Sequence, residues 1–107
     1  MTKVTVARVI DGDTIELIGG QRVRLIGIDA PELGSPGGNE ATQFVKKMVE
    51  GRDVWLQADG DSLDRFGRMR RYVWLREPTD PNDENQMRLY QLNAILLLKG
   101  LARPAGR

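Results

Sequence analysis

The sequence predicts a mainly β fold with helices (α+β), in which five strands form a small closed barrel and two helices pack on it. Three observations favour this fold. Short runs rich in β-branched residues alternate with Gly and Asp turn signals. Two other stretches repeat apolar residues at the helical spacing of i, i+3 and i+4. The length of 107 residues suits one hydrophobic core, so residues 1–107 are predicted to be a single domain.

Three strands are predicted at the start of the chain, at Val4–Ile10, Thr14–Ile18 and Gln21–Ile28. The segment Asp11-Gly12-Asp13 between the first two is interpreted as a kink or bulge within a long hairpin arm. Gly19-Gly20 is predicted to form a two-residue turn that reverses the chain. The first strand would then continue into the second without a full reversal of the chain, and the third strand would pair back on this arm.

The two-residue turn predicts a register for the second and third strands. Ile15 would then lie opposite Arg24, and Asp13 opposite Ile26, so that Asp13 and Arg24 lie diagonally on one face. The alternative interpretation is a surface ion pair, which contributes about 0 to 1 kcal/mol.

A first helix is predicted after the third strand, where the apolar residues are Ala41, Phe44, Val45, Met48 and Val49. Asn39 is predicted to cap its N-terminus, and Gly51 follows its last residue. The apolar stripe of this helix is expected to face the core.

Two further strands are predicted at Asp53–Ala58 and Arg68–Leu75, with the polar segment Asp59–Gly67 between them. Glu77–Glu84 is predicted to be a solvated loop, and Asn85–Lys99 a second helix. Five strands with a helix after the third is the order of an OB-fold Greek-key barrel. An open α+β sheet is the alternative.

The composition excludes several classes of function. The chain has no Cys and no His, which rules out disulfides, Cys/His zinc sites and nucleophile–histidine catalysis. Carboxylate chemistry, arginine electrostatics and oxygen ligation of hard cations remain. A net charge of +1 means that any basic patch must be local. No leader or membrane span is predicted, and the lack of Cys suits a secreted protein and a cytoplasmic one equally.

Four carboxylates flank the predicted hairpin, Asp11 and Asp13 before it and Asp29 and Glu32 after it. In the predicted register both pairs reach the same end of the sheet. Like charges held close together are unfavourable unless a cation lies among them, so a hard divalent cation is expected there. The alternative is that these acids only decorate turns.

A second segment interleaves arginines with aromatic residues, which suits phosphate binding and base stacking. Its predicted nucleic-acid contacts are Arg65, Phe66, Arg70 and Tyr72. Strand alternation would send Arg68 and Arg70 to one face and Arg71 to the other. A basic strand that simply faces water is the alternative.

Three ordered motifs resemble the signature blocks of the staphylococcal nuclease (thermonuclease) family. They are Asp11-Gly12-Asp13-Thr14, Arg24-Leu25-Ile26-Gly27-Ile28-Asp29-Ala30-Pro31-Glu32 and Asp64-Arg65-Phe66-Gly67-Arg68. The resemblance covers essentially the whole chain. It implies an OB-fold, calcium-dependent phosphodiesterase that acts on DNA and RNA, with single strands preferred and 3′-phosphate products.

The resemblance also implies roles for individual residues. Asp13 and Asp29 would bind calcium with the carbonyl of Ala30, and Asp11 would support them. Glu32 would activate the attacking water. Arg24 and Arg68 would neutralise the phosphate.

The sequence departs from typical members at several positions. Ala30 replaces a Thr but keeps the carbonyl, and Arg65-Phe66 replaces a Lys-Tyr pair that contacts a terminal phosphate. A different reading of the resemblance is a catalytically silent OB-fold module that binds nucleic acid or protein, as in Tudor-containing proteins. Such modules usually lose the acids and arginines that are present here.

The sequence stops at Arg107, without the third, C-terminal helix of typical members. The second predicted helix is apolar nearly all round, at Leu92, Ile95, Leu96, Leu97, Leu98 and Leu101. Such a helix is normally buried on every side. We therefore expect a second copy, forming a homo-oligomer, or further polypeptide to cover it. The alternative is that the barrel and the Glu77–Glu84 loop suffice.

Overall fold

The computed structural model describes residues 1–105, apart from the side chains at positions 61 and 62. Within that range the barrel strands are β1 (Thr2–Asp11), β2 (Thr14–Leu17), β3 (Arg22–Leu25), β5 (Asp53–Leu63) and β6 (Met69–Trp74). A small two-stranded sheet pairs β4 (Ile28–Asp29) with β7 (Arg103–Pro104). The helices are α1 (Gly38–Val49), α2 (Glu84–Tyr90) and α3 (Leu92–Leu98).

The barrel closes in the order β1-β2-β3-β6-β5. Its pairs are antiparallel except for β3 and β6, which run parallel. Side chains that alternate inward along each strand fill the interior, and Ile15, Val23 and Val73 have no exposed surface. Val45 of α1 and Leu96 of α3 pack against the same cluster. The predicted five-stranded OB-fold barrel is confirmed, and an open sheet is excluded.

The β2–β3 hairpin differs from the predicted one by a single residue. Ile15 lies opposite Val23 rather than Arg24, and the turn contains Ile18 as well as the two glycines. Cross-strand partners share a face of the sheet. The predicted register would have placed an arginine beside fully buried Ile15, whereas the observed one pairs two buried side chains and leaves Ile18 68% exposed.

The segment Asp11-Gly12-Asp13 is a full turn rather than the predicted kink within one arm, because β1 and β2 pair antiparallel with Asp11 opposite Thr14. Two of the later strands differ from the prediction by more than a residue or two at their ends. The predicted strand Gln21–Ile28 is divided into β3 and β4, because Gly27 has φ +80° and turns the chain between them. The first strand of the second pair does not end at Ala58 but continues through the predicted polar segment. Its pairing with β6 is irregular after Ala58 and resumes at Leu63, which lies opposite Met69.

Helix α1 begins one residue before the predicted cap Asn39. Gly37 occupies the N-cap with φ +82°, a left-handed conformation that favours glycine. At Gly38, a Cβ atom would lie 1.8 Å from the carbonyl oxygen of Glu32. The close contact between this loop and the helix therefore requires glycine. Gly51 follows the helix end as predicted.

The predicted second helix is two helices, because Gln91 between α2 and α3 is extended (φ −87°, ψ 113°). Gln91 forms a β-bridge with Trp74, and the Leu75 N–H donates to the Tyr90 carbonyl at 2.7 Å. These contacts with the end of β6 interrupt the helix at Gln91. The described chain thus has three helices where two were predicted.

Helix α3 is buried on one side only, whereas its apolar sequence is typical of a helix buried on every side. Leu92, Ile95 and Leu96 are buried, while Leu97 is 36% and Leu98 63% exposed. Covering of that remaining edge by a second copy or by further polypeptide stays a prediction. Among the described residues, none of the helices has the length and apolar character needed to cross a membrane.

Candidate functional site

The Asp11-Gly12-Asp13 turn is held against the segment that follows β4. A Cβ atom at Gly12 would lie 2.7 Å from the Ala30 Cβ and 2.8 Å from the Ala41 Cβ. Asp11 Oδ1 accepts the N–H of Asp13 at 3.0 Å, and Asp13 Oδ2 accepts the N–H of Ala30 at 2.9 Å. Glycine therefore allows two stretches that are distant in sequence to lie in direct contact.

Arg24 joins the acids on both sides of this contact. Its Nη1 donates to the carbonyls of Leu25 and Ile28, both at 2.9 Å. Its Nη2 donates to Asp29 Oδ1 and lies 3.4 Å from Asp13 Oδ2. The predicted pairing of Asp13 with Arg24 is present, although the register that predicted it was wrong. The guanidinium is held by four neighbouring residues, and the Arg24 side chain is only 20% exposed.

Burial is the main cause that raises the pKa of Asp13 to about 6, and the neighbouring Asp11 carboxyl contributes in the same direction. The Ala30 N–H and the Arg24 guanidinium act in the opposite direction but do not compensate. The carboxyl groups of Asp11 and Asp13 therefore carry more negative charge than the single Arg24 guanidinium balances in this partly desolvated site. A bound cation would relieve it.

The described residues contain no ready-made group of three or more acidic, His or Cys side chains that could hold a metal ion. Arg24 instead bridges Asp13 and Asp29. Glu32 is exposed on the loop before α1, and its carbonyl accepts both the N–H (2.9 Å) and the hydroxyl (2.6 Å) of Ser35. The oxygen-only donor set suits a hard cation. Convergence of all four carboxylates on one such ion stays a prediction.

Asp64 orders the turn between β5 and β6. Its Oδ1 accepts the N–H groups of Phe66 and Arg68, both at 2.9 Å, and its Oδ2 accepts Arg68 Nε at 2.7 Å. Desolvation opposes ionisation of Asp64, but these bonds outweigh it and lower the pKa. Arg65 and Arg68 lie over the Phe66 ring, 4.9 and 5.4 Å from its centroid.

Three arginines meet beside this turn, one from β3, one from the turn itself and one from β6. Arg24, Arg68 and Arg70 line an open cleft of about 190 Å³ together with Asp64, and we call it the arginine cleft. Parallel pairing of β3 with β6 puts Arg24 opposite Arg70, while the turn brings Arg68. Such a group of guanidinium forks is suited to phosphate oxygens.

The remaining predicted contacts lie elsewhere. Arg65 and Phe66 are exposed at the tip of the turn, next to the arginine cleft. Tyr72 lines a separate cavity, described below. Sequence reasoning did not identify Asp64 as a site residue. Its signal was an Asp two residues before an aromatic residue and four before an arginine, which is typical of a side chain that bonds its own turn.

Comparisons with known proteins show which family the chain resembles in sequence. A family model described as "Staphylococcal nuclease homologue" matches residues 22–106. A thermonuclease of Staphylococcus intermedius is 41% identical over 107 residues, covering 92% of this chain and 56% of that protein. A micrococcal nuclease of Shigella flexneri is 35% identical over 102 residues (91% and 55%). Endonuclease YncB of Bacillus subtilis (strain 168) is 35% identical over 115 residues (98% and 49%). The chain spans about half the length of these relatives.

Proposed function

Because the chain belongs to the staphylococcal nuclease family, we propose that it is a nuclease, a calcium-dependent phosphodiesterase that cleaves DNA and RNA. The observation that carries the proposal is the meeting of Arg24 and Arg68 in one cleft, beside the carboxylates of Asp13 and Asp29. This arrangement combines a phosphate-binding surface with oxygen ligands for a hard cation. The nuclease names of the relatives support it.

The arginines would hold the scissile phosphate. Two guanidinium groups can bind its non-bridging oxygens and stabilise the additional negative charge of the five-coordinate transition state. The bonds from Arg24 to two carbonyls and from Arg68 to Asp64 fix both groups before substrate arrives. Little reorganisation is then needed during the reaction.

Glu32 would accept the proton of the attacking water, since the chain has no His. Its exposed place on the loop before α1 leaves the carboxylate accessible to water. Attack with departure of the 5′-oxygen leaves a 3′-phosphate, the product that we propose.

Asp13, Asp29 and the carbonyl of Ala30 would hold calcium, with Asp11 as a supporting acid. When bound, the ion would polarise the phosphate and lower the pKa of water near it. Arg65 and Phe66, exposed next to the arginine cleft, would contact the strand beyond the cleaved bond. Single strands are the preferred substrate in this proposal, because unpaired bases can stack on exposed rings.

The proposal is tested by incubating the protein with end-labelled single-stranded DNA and RNA, in calcium and then in excess chelator. We expect calcium-dependent cleavage to 3′-phosphate ends, and a loss of orders of magnitude in Glu32→Gln, with Glu40→Gln as the matched control on the exposed side of α1. Strand binding without cleavage would instead favour the catalytically silent module.

A further inference from the structure

A second cavity lies on the outer face of the barrel, next to the arginine cleft. It measures about 300 Å³ and is lined by Gln57, Asp59, Tyr72, Asn82, Met87 and Gln91 among others. These residues come from β5, β6, the loop before α2, α2 itself and the break between α2 and α3. We call it the tyrosine cavity.

The tyrosine cavity and the arginine cleft share strand β6. Val73 points into the barrel core, so Tyr72 and Arg70 both point outward from the same face. Two residues along a strand span about 7 Å. A nucleotide whose phosphate lies at Arg70 could therefore place its base, or the base of its neighbour, at Tyr72.

The lining of the tyrosine cavity suits one flat, polar ring. Tyr72 offers an aromatic face for stacking, and its hydroxyl lies 3.5 Å from Asp59 Oδ2. Burial, and then the Asp59 carboxylate, raise the pKa of Tyr72, so its hydroxyl stays protonated as a donor. The side chains of Asn82 and Gln91 add amide groups, and Met87 supplies an apolar surface.

We propose that the tyrosine cavity binds a guanine base of the strand whose phosphate lies in the arginine cleft. The inference rests on the proposed nuclease function. Asp59 is exposed on β5, and its two oxygens can accept two parallel hydrogen bonds. Among the four bases only guanine presents two adjacent donors, N1–H and the N2 amino group, to such a fork.

The first test measures where labelled thymidine dodecamers with one internal guanine, adenine or cytosine are cut. We expect cleavage at a fixed offset from guanine to exceed that from adenine or cytosine about fivefold or more, the discrimination of a good bidentate contact. Asp59→Asn should bring this ratio close to one. Glu77→Gln, which removes one charge outside the cavity, should leave both ratio and rate unchanged.

A second test does not depend on catalysis. Guanosine monophosphate, titrated against the other monophosphates, should give saturable NMR shifts at the Met87 methyl and the Tyr72 ring, and Asp59→Asn should abolish the preference. Selective guanosine monophosphate binding without any cleavage would contradict the proposed nuclease function and support the guanine subsite. Equal cleavage next to all bases, or a guanine preference that persists in Asp59→Asn, would contradict the guanine subsite and leave the proposed nuclease function standing.

Discussion

Arg24 and Arg70 are register partners across the parallel strands β3 and β6, which places their backbones about 4.8 Å apart. Like charges directly opposite each other destabilise a sheet. Asp13 and Asp29 offset the charge of Arg24, and Arg70 extends the same positive surface. The sheet thus holds a concentration of positive charge that a phosphate would neutralise.

Arg70 is expected to contribute to substrate binding. In Arg70→Gln, the KM for single-stranded DNA should rise several-fold with kcat little changed, and the salt dependence of binding should weaken by about one unit of slope. The melting temperature should stay equal or rise slightly, because a like-charge pair is removed. Arg52→Gln, an exposed arginine outside the arginine cleft, is the control. A fall in kcat at constant KM would contradict this role.

Arg68 and Arg24 should respond differently to replacement by lysine. Arg68→Lys keeps the charge but loses the planar fork, so turnover should fall by orders of magnitude with a nearly unchanged melting temperature. Arg24→Lys should lower both, because it also loses the bonds to the Leu25 and Ile28 carbonyls. Kinetics and calorimetry on the two variants test the contrast, and near-normal turnover in Arg68→Lys would refute its catalytic role.

Asp64 is expected to act as a positioning residue for Arg68. Asp64→Asn weakens the bond to Arg68 Nε while the amide oxygen still accepts the turn N–H groups, so kcat should fall about tenfold or more with little change in KM. Asp64→Ala should also lower the melting temperature, since it removes the turn bonds. Equal kcat in Asp64→Asn and the wild type would show that the ion pair does not orient Arg68.

Stability should depend on pH through Asp13. Its folded pKa of about 6 lies above the usual 3.8, so between about pH 4 and 6 the folded protein holds a proton that the unfolded chain has lost. Rising pH therefore destabilises the fold, by about 1 to 2 kcal/mol after allowance for solvent screening. In chelator, the free energy of unfolding of Asp13→Asn relative to the wild type should rise across this range. A pH-independent difference would contradict the assignment.

Calcium should stabilise the protein most where Asp13 is ionised. At pH 7 and about a hundredfold above its dissociation constant, it should add about 2.7 kcal/mol to the free energy of unfolding. Asp29→Asn should reduce this gain, whereas Asp53→Asn, an exposed acid on β5, should not. Thermal melts with and without calcium measure the effect, and a melting temperature indifferent to calcium would count against the site.

Local patterns determined much of this protein. β-branched runs with Gly and Asp turns predicted the barrel strands, and the helical period predicted the core face of α1, because these signals depend on residues a few positions apart. The ordered motifs predicted that Asp13, Arg24 and Asp29 belong together, and the structure joins them by hydrogen bonds and ion pairs.

Tertiary packing decided the rest. The register of β2 and β3 followed from pairing Ile15 with Val23 in the core. The local sequence does not distinguish the predicted two-residue turn from the observed turn, which is one residue longer. Gln91 leaves the helix because a distant strand offers it a bridge to Trp74. Arg70 meets Arg24 only through parallel pairing of strands more than forty residues apart in sequence. Each of these outcomes depends on contacts with residues that are remote along the chain. The free energy of those contacts exceeds the local conformational preference of the segment only once the barrel has closed.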